Sequence, residues 1–129
     1  MKKRVFAMLL TMAMVFSLMA CGSKDKAGGS DGDTIRLGGV GPLTGGYANY
    51  GLSVQHGAEL AAKEINAAGG VNGKMLEVQF QDSQGDPESA VAAYGKLMDW
   101  GMNVSLGAVL SGETASVVAA AKADNMFIM

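Results

Sequence analysis

The stretch Leu110-Ser111-Gly112-Glu113-Thr114 joins an apolar run directly to a helix start. Backbone N–H groups in the first turn of a helix lack intrahelical partners, and the helix dipole is positive there, so such a junction favours an anion. Ser111 adds a hydroxyl donor, and a carboxylate of a small ligand fits this chemistry. Ser111, Gly112 and Thr114 are therefore candidate ligand contacts. The alternative is that Ser111 and Thr114 only cap the helix. A second stretch, Gly41 to Gly51, places Tyr47 and Tyr50 in a Gly-rich loop. An aromatic there can form a wall for an aliphatic side chain. Tyr50 is the candidate; Tyr47 reads as a cover for the helix that follows.

Cys21 is the other residue with chemistry to do. Lys2, Lys3 and Arg4 form a positive flank, and Val5 to Ala20 is apolar except for Thr11 and Ser17. That is the layout of an export signal. At about 1.5 Å per residue the run spans about 24 Å, short of the roughly 30 Å hydrocarbon core. It ends in Leu18-Met19-Ala20-Cys21, which resembles a lipobox, although Met19 is bulkier than the residues usual at its position. A small residue before the cut fits the peptidase, and the thiol takes a diacylglyceryl group. The expectation is a lipoprotein signal over residues 1–21 with lipid on Cys21. Competing readings are an ordinary signal peptide with an incidental cysteine, and an uncleaved anchor. Cys21 is the only cysteine, so no intrachain disulfide is available.

Other chemistry is not encoded. Gly39-x-Gly41 is followed by Thr44 where a dinucleotide fingerprint needs glycine, and no Gly-Lys-Ser/Thr phosphate loop exists. His56 is the single histidine and falls on the polar side of a helix. Asp82 and Asp86 flank a loop, but two carboxylates without further ligands make a poor metal site. The reading is of no catalytic machinery, no metal and no cofactor.

The elements that must hold the candidate site alternate strand and helix. Ten Lys and Arg, three of them before Cys21, stand against twelve Asp and Glu, all after it, which leaves about −5 on the later chain. That dispersed acidic balance carries no nucleic-acid footprint. Residues 22–33 are small and polar and read as a flexible tether, with folding expected over 34–129. Ile35 to Val40 reads as a first strand. Ser53 is expected to cap a helix whose inner stripe is Val54, Ala58, Ala61, Ile65 and Ala68, stopped by Gly69-Gly70. Met75 to Phe80 alternates and reads as a strand near a sheet edge. Asp86-Pro87-Glu88 starts a second helix with Val91, Tyr94, Leu97 and Met98 inward. Val104 to Leu110 reads as a strand buried on both faces. A third helix packs through Val117, Val118 and Ala121, and Met126 to Met129 starts a fourth strand. This order implies an α/β fold, an open parallel sheet with helices on both faces and its ligand site beyond the carboxyl ends of the strands. The unfinished pattern at Met129 suggests a truncated chain.

These stretches resemble the branched-chain amino-acid (Leu/Ile/Val-type) binding proteins of ABC importers, which have the type I periplasmic-binding fold. The matching text is Ile35-Arg36-Leu37-Gly38, Gly41-Pro42-Leu43-Thr44-Gly45, Tyr50-Gly51, Gly57 to Ala61, Ile65 to Gly73, Asp82 with Asp86-Pro87, and Gly107 to Ser111. The resemblance implies two α/β lobes closing on a small ligand, of which this chain would hold part of lobe one. It implies that Ser111 binds the ligand α-carboxylate, that Tyr50 lines the side-chain pocket, and that the partner is a membrane permease. With the Leu18-Met19-Ala20-Cys21 stretch and the lack of catalytic machinery, the expectation is an exported, lipid-anchored binding protein and no enzyme. Some members carry a disulfide in this lobe, which a lone cysteine cannot form. A ligand-sensing module, or a member tuned to amides, urea or aromatic acids, is the alternative.

Overall fold

A computed structural model describes residues 34–129. The export signal, Cys21 and the tether expected over 22–33 lie outside the described residues. The described elements are β1 (Thr34–Gly41), α1 (Ala48–Ala67), β2 (Met75–Asp82), α2 (Pro87–Asp99), β3 (Val104–Ala108) and α3 (Ser111–Ala123). All strand pairs are parallel, in the order β2-β1-β3. The α/β reading holds, and β2 is the outer strand, as its alternating pattern suggested. The fourth strand is present in outline. Ser105 N donates to Phe127 O and Met129 N donates to Ser105 O, so the last residues run parallel to β3 on its far side.

Successive strand residues face opposite sides of the sheet, and the neighbours of β1 show what covers each. The Gly38 position lies beneath Met102 and Leu97, whereas the Gly39 position lies beneath the ring of Phe80. The Val40 side holds the core: Val40, Ala90, Ala93, Tyr94, Leu97, Met102, Val117 and Ala121 are buried together under α2 and α3. Tyr94 is closed in by a hydrogen bond from its hydroxyl to Asp124 across to α3. Burial, helped by that carboxylate, pushes the Tyr94 phenol up to about 12. Val91 and Val118, expected inside, are exposed at 38% and 40%. Ala90 and Ala93 take the contact, because smaller side chains bring α2 closer to the sheet.

The other face carries α1, over β2 and β1, and here two expectations are corrected. The helix begins at Ala48, five residues before Ser53, and Ser53 Oγ donates to Asn49 O within the helix. Its inner line is also rotated. Gly51 and Ala62 are buried, Ala58 and Asn66 are half-buried, and Val54, Ala61 and Ile65 are exposed. Asn66 explains part of the rotation. Its amide donates to Leu76 O and accepts from Leu76 N, standing in for a neighbouring strand at the open edge of β2. β3 is likewise not buried on both faces. Ser105 and Gly107 are buried, whereas Val104, Leu106 and Ala108 are only half-buried.

Candidate functional site

Parallel pairing puts the carboxyl ends of all three strands on one rim, with Gly41 opposite Asp82 and Val40 opposite Ala108. Three connections leave this rim: loop A (42–47) after β1, loop B (83–86) after β2, and loop C (109–110) after β3. The candidate ligand contacts all lie here. Ser111, Gly112 and Thr114 are in the first turn of α3. Tyr50 is in the first turn of α1 rather than in the loop before it, and is 64% exposed.

The two helix N-termini on the rim near loop B differ. At α2, Asp86 accepts from Ser89 N at 2.7 Å and Pro87 occupies the first position, so the turn is closed from within. Those bonds from Ser89 hold the Asp86 carboxyl below its ordinary value. At α3 the N-cap residue is Leu110, which supplies no capping side chain. Ser111 follows it as the first helical residue and is exposed, and its hydroxyl has no partner among the described residues. Thr114 behaves otherwise. Its Oγ1 lies 3.0 Å from Ala108 O and 2.9 Å from Leu110 O, so its proton serves the strand-to-helix turn. Gly112 lies against Pro87, bringing the starts of α2 and α3 together.

Asp82, at the end of β2, and loop B after it tie the neighbouring segments together, and sequence reasoning missed this role. Asp82 Oδ1 accepts from Leu43 N at 2.8 Å, Gln84 N at 2.9 Å and Thr44 N at 3.4 Å, while Oδ2 accepts from Thr44 Oγ1 at 2.6 Å. Burial opposes ionisation of Asp82, but the Thr44 hydroxyl and the three N–H groups outweigh it and hold the carboxyl below its ordinary value. On the other side, Ser83 Oγ donates to Glu113 Oε1 at 2.6 Å, and Leu110 N donates to Oε2 at 3.4 Å. Glu113 is 1% exposed and Ser83 is fully buried. Gly85 faces both Tyr47 and Leu110. The only local signal was the Asp82-x-x-x-Asp86 spacing; the partners of Asp82 in loop A lie 38 and 39 residues away.

A surface groove lies elsewhere. It has a volume of about 370 Å³ and runs between α1 and the β2 edge, lined by residues that include Glu59, Lys63, Asn66 and Glu77. The candidate ligand contacts are not in it. Among the described residues no cluster of His, Cys, Asp and Glu could hold a metal ion, and His56 is exposed.

Comparison with known proteins decides the family: the periplasmic binding protein profile matches residues 34–129. The chain belongs to the periplasmic binding protein family. Over 82 residues it is 43% identical to a leucine-, isoleucine-, valine-, threonine- and alanine-binding protein of Pseudomonas aeruginosa, a match covering 64% of this chain and 22% of that one. The crystal structure of a branched-chain amino acid transporter substrate-binding protein from Streptococcus pneumoniae, in complex with isoleucine, superposes with a TM-score of 0.70. It is 35% identical over 74% of this chain and 28% of that one. A fatty acid ABC transporter substrate-binding protein from Thermomonospora curvata gives a TM-score of 0.69 at 32% identity, covering 84% and 28%. This periplasmic binding protein chain thus spans about a quarter of the length of its relatives. The fold expected from the resemblance, part of a type I lobe, is the fold observed.

Proposed function

We propose that residues 34–129 form part of the first lobe of an extracellular receptor for an ABC importer, one that binds a branched-chain or similar small amino acid and delivers it to a membrane permease. The reading is of a binding protein and not an enzyme. The observation that carries it is the N-terminus of α3, where the exposed Ser111 hydroxyl stands at the strand rim beside the first-turn N–H groups; of the backbone donors there, Glu113 accepts only from the Leu110 N–H. An α-carboxylate suits that end electrostatically. Tyr50, on the neighbouring helix start, supplies apolar surface for the ligand side chain, and Gly112 and Thr114 shape the turn. The names of the relatives favour an amino acid with an aliphatic side chain.

The test is titration of the full-length protein with leucine, valine and alanine. A hydrogen bond to a charged group is worth roughly 1.5–3 kcal/mol, so Ser111→Ala should weaken all three about tenfold to a hundredfold. Backbone donors remain, so binding should persist. Unchanged affinities in a folded variant would place the carboxylate elsewhere.

Anchoring through Cys21 is the second part of the proposal, supported by the Leu18-Met19-Ala20-Cys21 sequence. In a bacterial host Cys21→Ser should lose lipid labelling and leave the membrane fraction. Equal retention of the variant would point to an uncleaved anchor.

A further inference from the structure

Loop A is poor in side chains that could pin it: Gly45 and Gly46 are exposed, and Thr44 is exposed as well. Yet its first half is held by three hydrogen bonds to Asp82, the last residue of β2, immediately before loop B. Leu43 N, Thr44 N and Thr44 Oγ1 all donate to Asp82, and Gln84 N donates to the same carboxylate from the other side. The second half is held where Tyr47 lies against Gly85. Three residues beyond Tyr47 stands Tyr50. On the opposite flank, Ser83 in loop B is bonded to Glu113, two residues beyond Ser111. The two segments given ligand contacts above are thus each fastened to loop B, which carries none of those contacts.

We propose that Asp82 is a positioning residue for ligand binding: with Thr44 it clamps loop A to loop B and so sets where Tyr50 stands relative to Ser111. This rests on the ligand site proposed above. The clamp is specific in its chemistry. A carboxylate is the side chain that can accept four donors at once, and the Thr44 bond is charge-assisted and short at 2.6 Å. An amide in its place would present an NH₂ group to donors. These bonds hold the Asp82 carboxyl below its ordinary value, so it is ionised and the clamp is closed at neutral pH. Loop B would then act at a distance, as a spacer between two contact segments.

The experiment compares Asp82→Ala, Thr44→Val and Thr44→Ser in the full-length protein. Thr44 is exposed, so its variants carry little packing cost. Amide exchange at Leu43 and Gln84 reads the clamp directly, and titration with leucine and alanine reads positioning. From the strength of a hydrogen bond to a charged group, Asp82→Ala should weaken leucine about tenfold and Thr44→Val about threefold. Both should compress the preference for leucine over alanine, and Thr44→Ser should restore it. Exchange at Leu43 and Gln84 should rise in Asp82→Ala. If the unmodified protein binds leucine and both damaging variants bind it as tightly with the same preference, the positioning role is overturned. A Thr44→Ser variant as weak as Thr44→Val also overturns it. If the unmodified protein binds no amino acid, the proposed function falls instead, and unchanged exchange at Leu43 and Gln84 would remove the clamp separately.

Discussion

Gly51→Ala is expected to destabilise the protein by about 3 kcal/mol, the upper part of the usual range for overpacking. Gly51 is buried where α1 passes the end of β1. A Cβ there would lie 2.0 Å from Pro42 O and 2.7 Å from Pro42 C. Those atoms are backbone, Pro42 is itself fully buried, and its ring leaves little freedom to yield. Helix propensity pulls the other way, since alanine is favoured over glycine inside a helix by about 1 kcal/mol. The clash wins because relief requires moving the start of loop A or the whole of α1. Gly57 is the control. It lies six residues on in the same helix, with nothing within 4 Å of an added Cβ. Gly57→Ala should therefore stabilise by up to about 1 kcal/mol. Urea unfolding of both variants checks the pair; equal and favourable shifts would mean that α1 does not pack closely on Pro42.

The same contact explains why α1 was the least legible part of the sequence. Hydrophobicity ranks Val54 and Ile65 as the inward residues, and both are exposed. The helix lies against the sheet through Gly51, Ala62 and Asn66, chosen for closeness and for hydrogen bonding to Leu76. Small and polar residues carry no signal in an apolar count. Ser53 misled for a related reason: a serine hydroxyl satisfies either a cap or the carbonyl four residues back, and here it takes the carbonyl. Elements with ordinary signals were readable. Asp86-Pro87-Glu88 named the start of α2, and the alternation of Leu76, Val78 and Phe80 named a strand with one covered face. At the site, the helix start at Ser111 was visible because it is local in sequence. The clamp on Asp82 and the bond from Ser83 to Glu113 were not, because they join residues thirty or more positions apart.

Glu113→Ala should cost about 3 kcal/mol, as the sum of a lost bond to a charged group and an acceptor removed from a buried donor. Glu113 is a charged residue on the first turn of a helix, where exposure is the rule, yet it is 1% exposed. Its position is favourable for two reasons. The positive end of the α3 dipole lies beside it, and its two oxygens each have a donor, Ser83 Oγ and Leu110 N. Alanine leaves the buried Ser83 hydroxyl without its acceptor and opens a space between loop B and α3. Ser83→Ala should cost less, since Glu113 keeps the Leu110 N–H and gains no cavity of similar size. Because the two side chains share one bond, the double variant should cost less than the two singles added, by about 1 kcal/mol. Ligand binding separates this residue from Ser111. Ser111→Ala should lower affinity and leave the unfolding midpoint in place, whereas Glu113→Ala should lower the midpoint first. A Glu113→Ala protein with an unchanged midpoint would show that loop B and α3 are held together by packing alone, with the buried bond adding nothing.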